Sequence, residues 1–337
     1  MSESQQLIEA LDARVDRRDA RREFFKAALG VGAFAVGGAA ALNFSTGANA
    51  QTVSDNDVLN FALNLEYLEA QFYSYAANGV GLPAGQQTGV TTTGAQGGLI
   101  NPAGSTPARQ VTFNDRVISE YAKEIAADEL AHVAFLRTAL GSAAVAQPAL
   151  NISGGTGSAF AAAATAAGVA NGASFDPYAN ENNFLLGAYI FEDVGVTAYK
   201  GASPLITSKV FLEAAAGILA VEAYHAAIVR TVLYGRGVET PALRTIAGQI
   251  SDARDSLDGA SDVDQGISPM TVTPTNLATT QAATTASNIA PLDANGIAFS
   301  RTPQQVLNIV YLNRAAVTMG GFFPAGVNGT VRASAAN

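Results

Sequence analysis

Two segments of this chain, Glu129-Leu-Ala-His132 and Glu222-Ala-Tyr-His225, share the pattern Glu-x-x-His and between them use both of its histidines. Residues three apart on a helix lie on one face. Each segment can therefore aim a carboxylate oxygen and an imidazole nitrogen at one point. A single copy would read as a solvated helix face. With 13 Glu among 337 residues, a Glu three before both histidines arises by chance roughly once in several hundred sequences of this composition. The duplication points to a metal site.

The pattern is embedded in helical periodicity. The first helix is expected over 55–77, capped by Ser54 or Asp55 and stopped by Asn78-Gly79, with Val58, Phe61, Ala62, Leu65, Leu68 and Phe72 inward. It carries Glu66, Glu69 and Tyr73. The second is expected over 114–140 and carries Asp128, Glu129 and His132, with Gly141 as its stop. The third spans about 177–201 and carries Glu192, Asp193 and Tyr199. Ser203-Pro204 reads as the start of a fourth, which carries Glu222 and His225 and ends near Tyr234-Gly235. A short helix is expected within the Ala/Gly-rich connection 142–177. Each half also places Tyr seven residues after a Glu: Glu66 and Tyr73, then Glu192 and Tyr199. The order Glu, Glu-x-x-His, Glu, Glu-x-x-His is what a four-helix bundle needs to gather four carboxylates and two imidazoles around a buried metal pair. Inward glutamates with no Lys or Arg on their faces make little sense without cations.

Composition narrows the chemistry. Cysteine is absent, so thiolate ligands, disulfides and cysteine nucleophiles are excluded. Oxygen and imidazole donors remain, a set that accepts two Fe or two Mn ions, with Zn also compatible. The net charge of −9 argues against a nucleic-acid partner. Charged residues make up only 14% of the chain, leaving much of the surface to Ser, Thr, Asn, Gln and Gly.

These residues resemble the ferritin-like superfamily over 55–235. Leu65-Glu66-Tyr67-Leu68-Glu69 and the tail Thr302-Pro303-Gln304-Gln305-Val306-Leu307…Gly320-Gly321-Phe322-Phe323-Pro324…Gly326-Val327-Asn328-Gly329 are similar to the bacterial ferritin-like proteins grouped with plant desiccation-related proteins. The resemblance implies an all-α, ferritin-like four-helix bundle (51–235) with long loops and an irregular C-terminal extension (236–337). It also implies a ligand set: Glu129 and Glu222 bridging two metals, Glu66 with His132 completing one and Glu192 with His225 the other. Glu66 is preferred to Glu69 because, like Glu192, it has the Tyr seven residues on. Glu69 is then a supporting or channel group. Asp128 is placed where such proteins often orient a ligand histidine; its counterpart, Val221, cannot do so. Tyr73 and Tyr199 are expected as core residues with a hydrogen-bonded hydroxyl, or as redox participants.

Ala20-Arg21-Arg22-Glu23-Phe24-Phe25-Lys26 resembles the twin-arginine export motif. An apolar run over 27–42 follows, then Ala48-Asn49-Ala50, a small-x-small cleavage site that leaves Gln51 first. The run is too short and Gly-rich for a stable membrane span. Export of the folded protein to the periplasm or beyond is expected. At the other end, 240–257 reads as a helix, 271–287 as Thr/Ala-rich low complexity, and Thr302-Pro303 as the cap of a short apolar helix. The Gly-Gly-Phe-Phe tail is a strap on the bundle or a surface for a partner.

Two functions compete. One is an oxidoreductase of peroxidase, catalase or ferroxidase type, whose di-metal centre takes peroxide, dioxygen or Fe(II) as a small substrate. The other is a non-catalytic protective protein of the stressed or drying envelope, with a static or unused metal site. Iron storage in a cage ranks third because of the long loops and extension. A homo-oligomer is left open.

Overall fold

The Ser54 hydroxyl accepts from the amide of Asp57, and the Asp57 carboxylate accepts from the amide of Ser54 at 2.9 Å; this reciprocal cap starts α1, Asp55–Asn78. Gly79, at φ +75°, ends it in the left-handed conformation. The computed structural model describes residues 53–92, 96–273 and 282–337; the proposed export segment lies outside them. Six further helices follow among the described residues: α2 (Arg116–Leu140), α3 (Ala159–Ala166), α4 (Glu181–Ala202), α5 (Lys209–Glu239), α6 (Ala242–Asp258) and α7 (Pro303–Val310). The Thr/Ala-rich stretch contributes two exposed antiparallel strands, β1 (Met270–Val272) and β2 (Thr284–Ala286).

The all-α architecture agrees with the helical periodicity, but two helices differ from expectation at their ends. α4 starts at Glu181 rather than near 177, because Asp176 folds the chain into a turn at Tyr178 and Ala179 and Asn180 then caps the helix. Ser203-Pro204 does not open α5. It forms a short 3-10 turn, Ser203–Leu205, and the Asp55 carboxylate accepts from the amides of Thr207 (2.7 Å) and Ser208 (2.8 Å). Those bonds delay the start until Ser208 caps Lys209. Gly235 is not a stop either; the helix runs to Glu239, since an interior glycine costs only about 1 kcal/mol.

α1 packs along α2 and α4 along α5, and the two pairs close a four-helix bundle in which α1 and α4 are buried almost all round. The polar residues on the outer side of α1 make that burial tolerable. Asn60 donates to Ala143 O (3.0 Å) and accepts from the amide of Val145 (2.9 Å). Asn64 makes the same reciprocal pair with the backbone of Asn328, at 2.8 and 2.9 Å, and Gln71 donates to Gln147 at 2.6 Å. Loop backbone is thereby satisfied against a helix that a simple amphipathic stripe would have left wet. The loop between α1 and α2 is pinned to the one after α2 by bridges at Val90–Val145, Leu99–Leu150 and Thr106–Gly154.

The C-terminal extension covers the α1–α4 side. Phe322 and Phe323 are fully buried, so the tail is a strap. Phe322 meets Phe160 and Phe191 at ring separations of 5.1 and 4.9 Å. Gly321 sits at φ +49°, where a Cβ would lie 2.6 Å from Val310 O; only glycine allows that approach.

α5 is the one described helix long and apolar enough to cross a membrane. In the bundle, Ala215, Ile218, Ala226, Val229 and Leu233 bury its apolar face.

Candidate metal centre

Each of the four bundle helices sends its glutamate inward: Glu66 from α1, Glu129 from α2, Glu192 from α4 and Glu222 from α5 are all at most 1% exposed. His132 and His225 lie one helical turn beyond Glu129 and Glu222 and point the same way. His132 Nδ1 lies 3.3 Å from Glu66 Oε2, 3.6 Å from Glu129 Oε2 and 3.8 Å from Glu222 Oε1. His225 Nδ1 lies 3.0 Å from Glu129 Oε1 and 3.8 Å from Glu192 Oε2. Among the described residues, only Glu129 reaches both imidazoles. The first set is the tighter: one donor atom from each of Glu66, Glu129, His132 and Glu222 falls within 4.8 Å of the others.

The tyrosines cross over. Tyr199 of α4 donates to Glu66 Oε1 on α1, and Tyr73 of α1 donates to Glu192 Oε1 on α4. Antiparallel α1 and α4 thus clamp each other's glutamate, leaving one oxygen of each free to face the centre. Asp128, half-exposed, holds His225 Nε2 at 3.2 Å, so it serves the histidine of the other half. His132 has no equivalent at Val221.

Glu69 is also buried, and it lies where the duplication breaks. Its counterpart three residues after Glu192 is Gly195. A Cβ on Gly195 would lie 2.2 Å from Glu222 Oε2 and 3.6 Å from Glu69 Oε1. The missing side chain makes room for both carboxyl groups.

Electrostatics reflects five carboxyl groups with no Lys or Arg among them. Burial, reinforced by the charge of Glu129, raises Glu66 to about 7 and lifts Glu69 and Glu222 well above the carboxylate range. Burial also raises Glu192 to about 8, although His225 works against it. For Glu129 burial acts upward but loses to the two imidazoles facing its oxygens, and it falls to about 2. The histidines, lowered by burial and raised more by the facing carboxylates, reach about 11 for His132 and about 9 for His225.

The donor set fits metal. Eight atoms make no hydrogen bond although buried: Glu66 Oε2, Glu192 Oε2, His132 Nδ1, His225 Nδ1 and both oxygens of Glu129 and Glu222. Native interiors rarely leave such groups unpaired, and these converge from four helices. Two cations would satisfy them together. Without metal, Glu66 and Glu192 keep protons above the ordinary carboxyl value, and the histidines keep theirs above 6.5. The folded state therefore binds more protons than the unfolded chain from about pH 5 upward. Metal-free protein is expected to lose stability as pH rises from 5.5 to 8.5, by about 5 °C or more in Tm. Metal-loaded protein should move the opposite way, since cations displace those protons. Thermal melts with and without chelator check this.

Sequence reasoning missed the ionic layer behind the centre. Asp193, next to Glu192, pairs with Arg230 (2.7 Å) and Arg254 (3.0 Å); Asp264 pairs with Arg254 (2.6 Å) and Arg301 (2.9 Å); Asp258 pairs with Arg301 (2.6 Å). All are buried. The available signal was Arg230 standing inside the apolar run Ile228-Val229-Arg230-Thr231-Val232-Leu233.

A bundle of this topology with paired Glu-x-x-His motifs facing its interior defines a ferritin-like protein. Residues 54–235 match the ferritin-like domain family, and the chain belongs to that family. It is 33% identical over 262 residues to the desiccation-related protein PCC13-62 of Craterostigma plantagineum, covering 75% of this chain and 76% of that one. It is 30% identical over 284 residues to the ferritin-like catalase Nec2 of Nesocodon mauritianus, covering 82% and 85%. No solved structure matches the chain.

Proposed function

We propose that the protein is an exported di-iron or di-manganese protein whose centre disposes of peroxide. The observation that carries this reading is the set of eight unpaired donor atoms meeting inside the bundle without a fixed cation. A relative named a catalase supports peroxide over dioxygen or Fe(II). When bound, two adjacent redox ions supply and take back the two electrons that separate hydrogen peroxide from water on one side and dioxygen on the other.

The chain's part is to hold, orient and dry that pair. Glu66, Glu129 and His132 would hold one ion, and Glu192, Glu129 and His225 the other, with Glu222 closing the site beside Gly195. Tyr73 and Tyr199 fix the carboxylates they touch, so that one oxygen of each points inward. Asp128 fixes the tautomer of His225 by taking its Nε2 proton in a hydrogen bond, leaving Nδ1 free for metal. Burial of all six groups keeps bulk water from the reacting atoms.

The second reading, a protective protein with a static metal staple, is favoured by the relative named for desiccation. One experiment separates the two. Protein purified from its own cell envelope is expected to begin at Gln51, to contain about two redox metal ions per chain by elemental analysis, and to evolve dioxygen from hydrogen peroxide with saturation kinetics. Two ions without turnover would establish the static reading; absence of stoichiometric metal would sink both.

A further inference from the structure

Resting on that reading of the centre, we propose that the narrow apolar pocket between α1 and α4 is the path by which a small hydroperoxide reaches the metals, and that Glu69 is the group that receives it. The pocket is walled by Leu65, Leu68, Phe191 and Val194 of the bundle and capped by Ile309 and Phe322 of the C-terminal extension. Glu69 is its single polar side chain, and Gly195 forms the floor beside it.

Three observations converge on Glu69. It is 5% exposed, and among the described residues no group hydrogen-bonds its carboxyl. A carboxyl group this buried and without a hydrogen-bond partner costs free energy. It occurs in one half of a duplicated site, and the other half answers with the glycine that makes room for it. Its Oε1 and Glu222 Oε2 both border the space above Gly195, so a molecule received by Glu69 is delivered beside a proposed ligand.

The pocket's chemistry selects the substrate. A hydrated divalent cation would have to shed its water against Leu, Val and Phe side chains, which is prohibitive. Dioxygen would pass but has no proton for Glu69. Hydrogen peroxide is small, uncharged and a donor at both ends, so it can cross the apolar walls and hydrogen-bond a carboxyl in either protonation state. Phe322 sets the bore. Its position depends on the turn at Gly321 and on packing against Phe160 and Phe191, so the strap would serve as a size filter.

The test uses metal-loaded wild type and three variants, with metal content measured first. Glu69→Leu keeps the volume and removes the hydrogen-bond partner; it should retain both ions and raise KM for hydrogen peroxide at least about tenfold. Glu69→Gln keeps an acceptor and should stay within about threefold of wild type. Wild type is expected to exclude tert-butyl hydroperoxide and Phe322→Ala to admit it. On metal-free protein, xenon should bind in the pocket, seen as a shifted 129Xe resonance, and bind more tightly in Phe322→Ala.

A wild type that binds two ions and turns over peroxide while Glu69→Leu shows an unchanged KM would overturn the role of Glu69 and leave the centre intact. Xenon binding to neither protein, or unchanged exclusion of the bulky peroxide by Phe322→Ala, would overturn the path. A wild type without metal or turnover would fail at the reading beneath it.

Discussion

Glu129→Gln is expected to weaken metal binding at least about a hundredfold, with both ions lost on dialysis and not just one. Outer groups that merely orient a ligand already contribute roughly 10- to 100-fold in affinity, and Glu129 is more central than that. Its two oxygens stand 3.0 Å from His225 Nδ1 and 3.6 Å from His132 Nδ1. Among the described residues no other carboxylate reaches both imidazoles. Its position comes from one helix turn: α2 places Glu129 and His132 on one face, and the crossing of α5 brings His225 to the other oxygen. Glu124→Gln, an exposed change on the same helix, should leave two ions in place. Elemental analysis after dialysis reads the difference, and circular dichroism separates loss of metal from loss of fold.

Asp264→Ala should be the most damaging change outside the centre, lowering stability by about 3–5 kcal/mol and Tm by about 10 °C. Asp264 accepts from Arg254 at 2.6 Å, from Arg301 at 2.9 Å and from Ser251 at 2.9 Å. Removing it leaves three guanidinium groups, those of Arg230, Arg254 and Arg301, all at most 3% exposed, facing only Asp193 and Asp258. They cannot shed their charge as a buried Lys could, so the excess positive charge stays in the interior. Arg301 also donates to Thr197 of α4 at 3.0 Å, so losing one of its two carboxylate partners loosens the seam between extension and bundle. Asp262→Ala, exposed two residues away, should stay within about 0.5 kcal/mol. Urea and thermal unfolding of the two variants test the contrast; equal stability would mean the layer is not the clasp described here.

Much of the centre could be read from local pattern. The spacing in Glu129-Leu-Ala-His132 and Glu222-Ala-Tyr-His225 is a property of any helix, so the shared face of each pair needs no tertiary structure to be inferred. The doubled Glu-to-Tyr interval likewise marked Glu66, whose Oε2 lies 3.3 Å from His132 Nδ1. What the interval did not reveal is that Tyr73 and Tyr199 serve each other's half. The pairs Tyr73–Glu192 and Tyr199–Glu66 span 119 and 133 residues, and their register depends on how α1 and α4 slide past each other. Asp128 shows the same limit: its closeness to Glu129 in sequence says nothing of its bond to His225. Helix ends were missed where a distant group intervened, as when Asp55 held Thr207 and Ser208 out of α5.

The order of helices, the oxygen-and-imidazole donor set and the exclusion of thiolate chemistry followed from the sequence alone, because periodicity and residue type act within a turn or two of chain. Tertiary structure alone decided the crossed tyrosines, the buried Arg–Asp layer, the fit of Glu69 against Gly195 and the burial of Phe322. Each of these joins segments far apart in the chain. Their energies come from desolvated polar groups meeting across a fixed register, and that register exists only once the helices have packed.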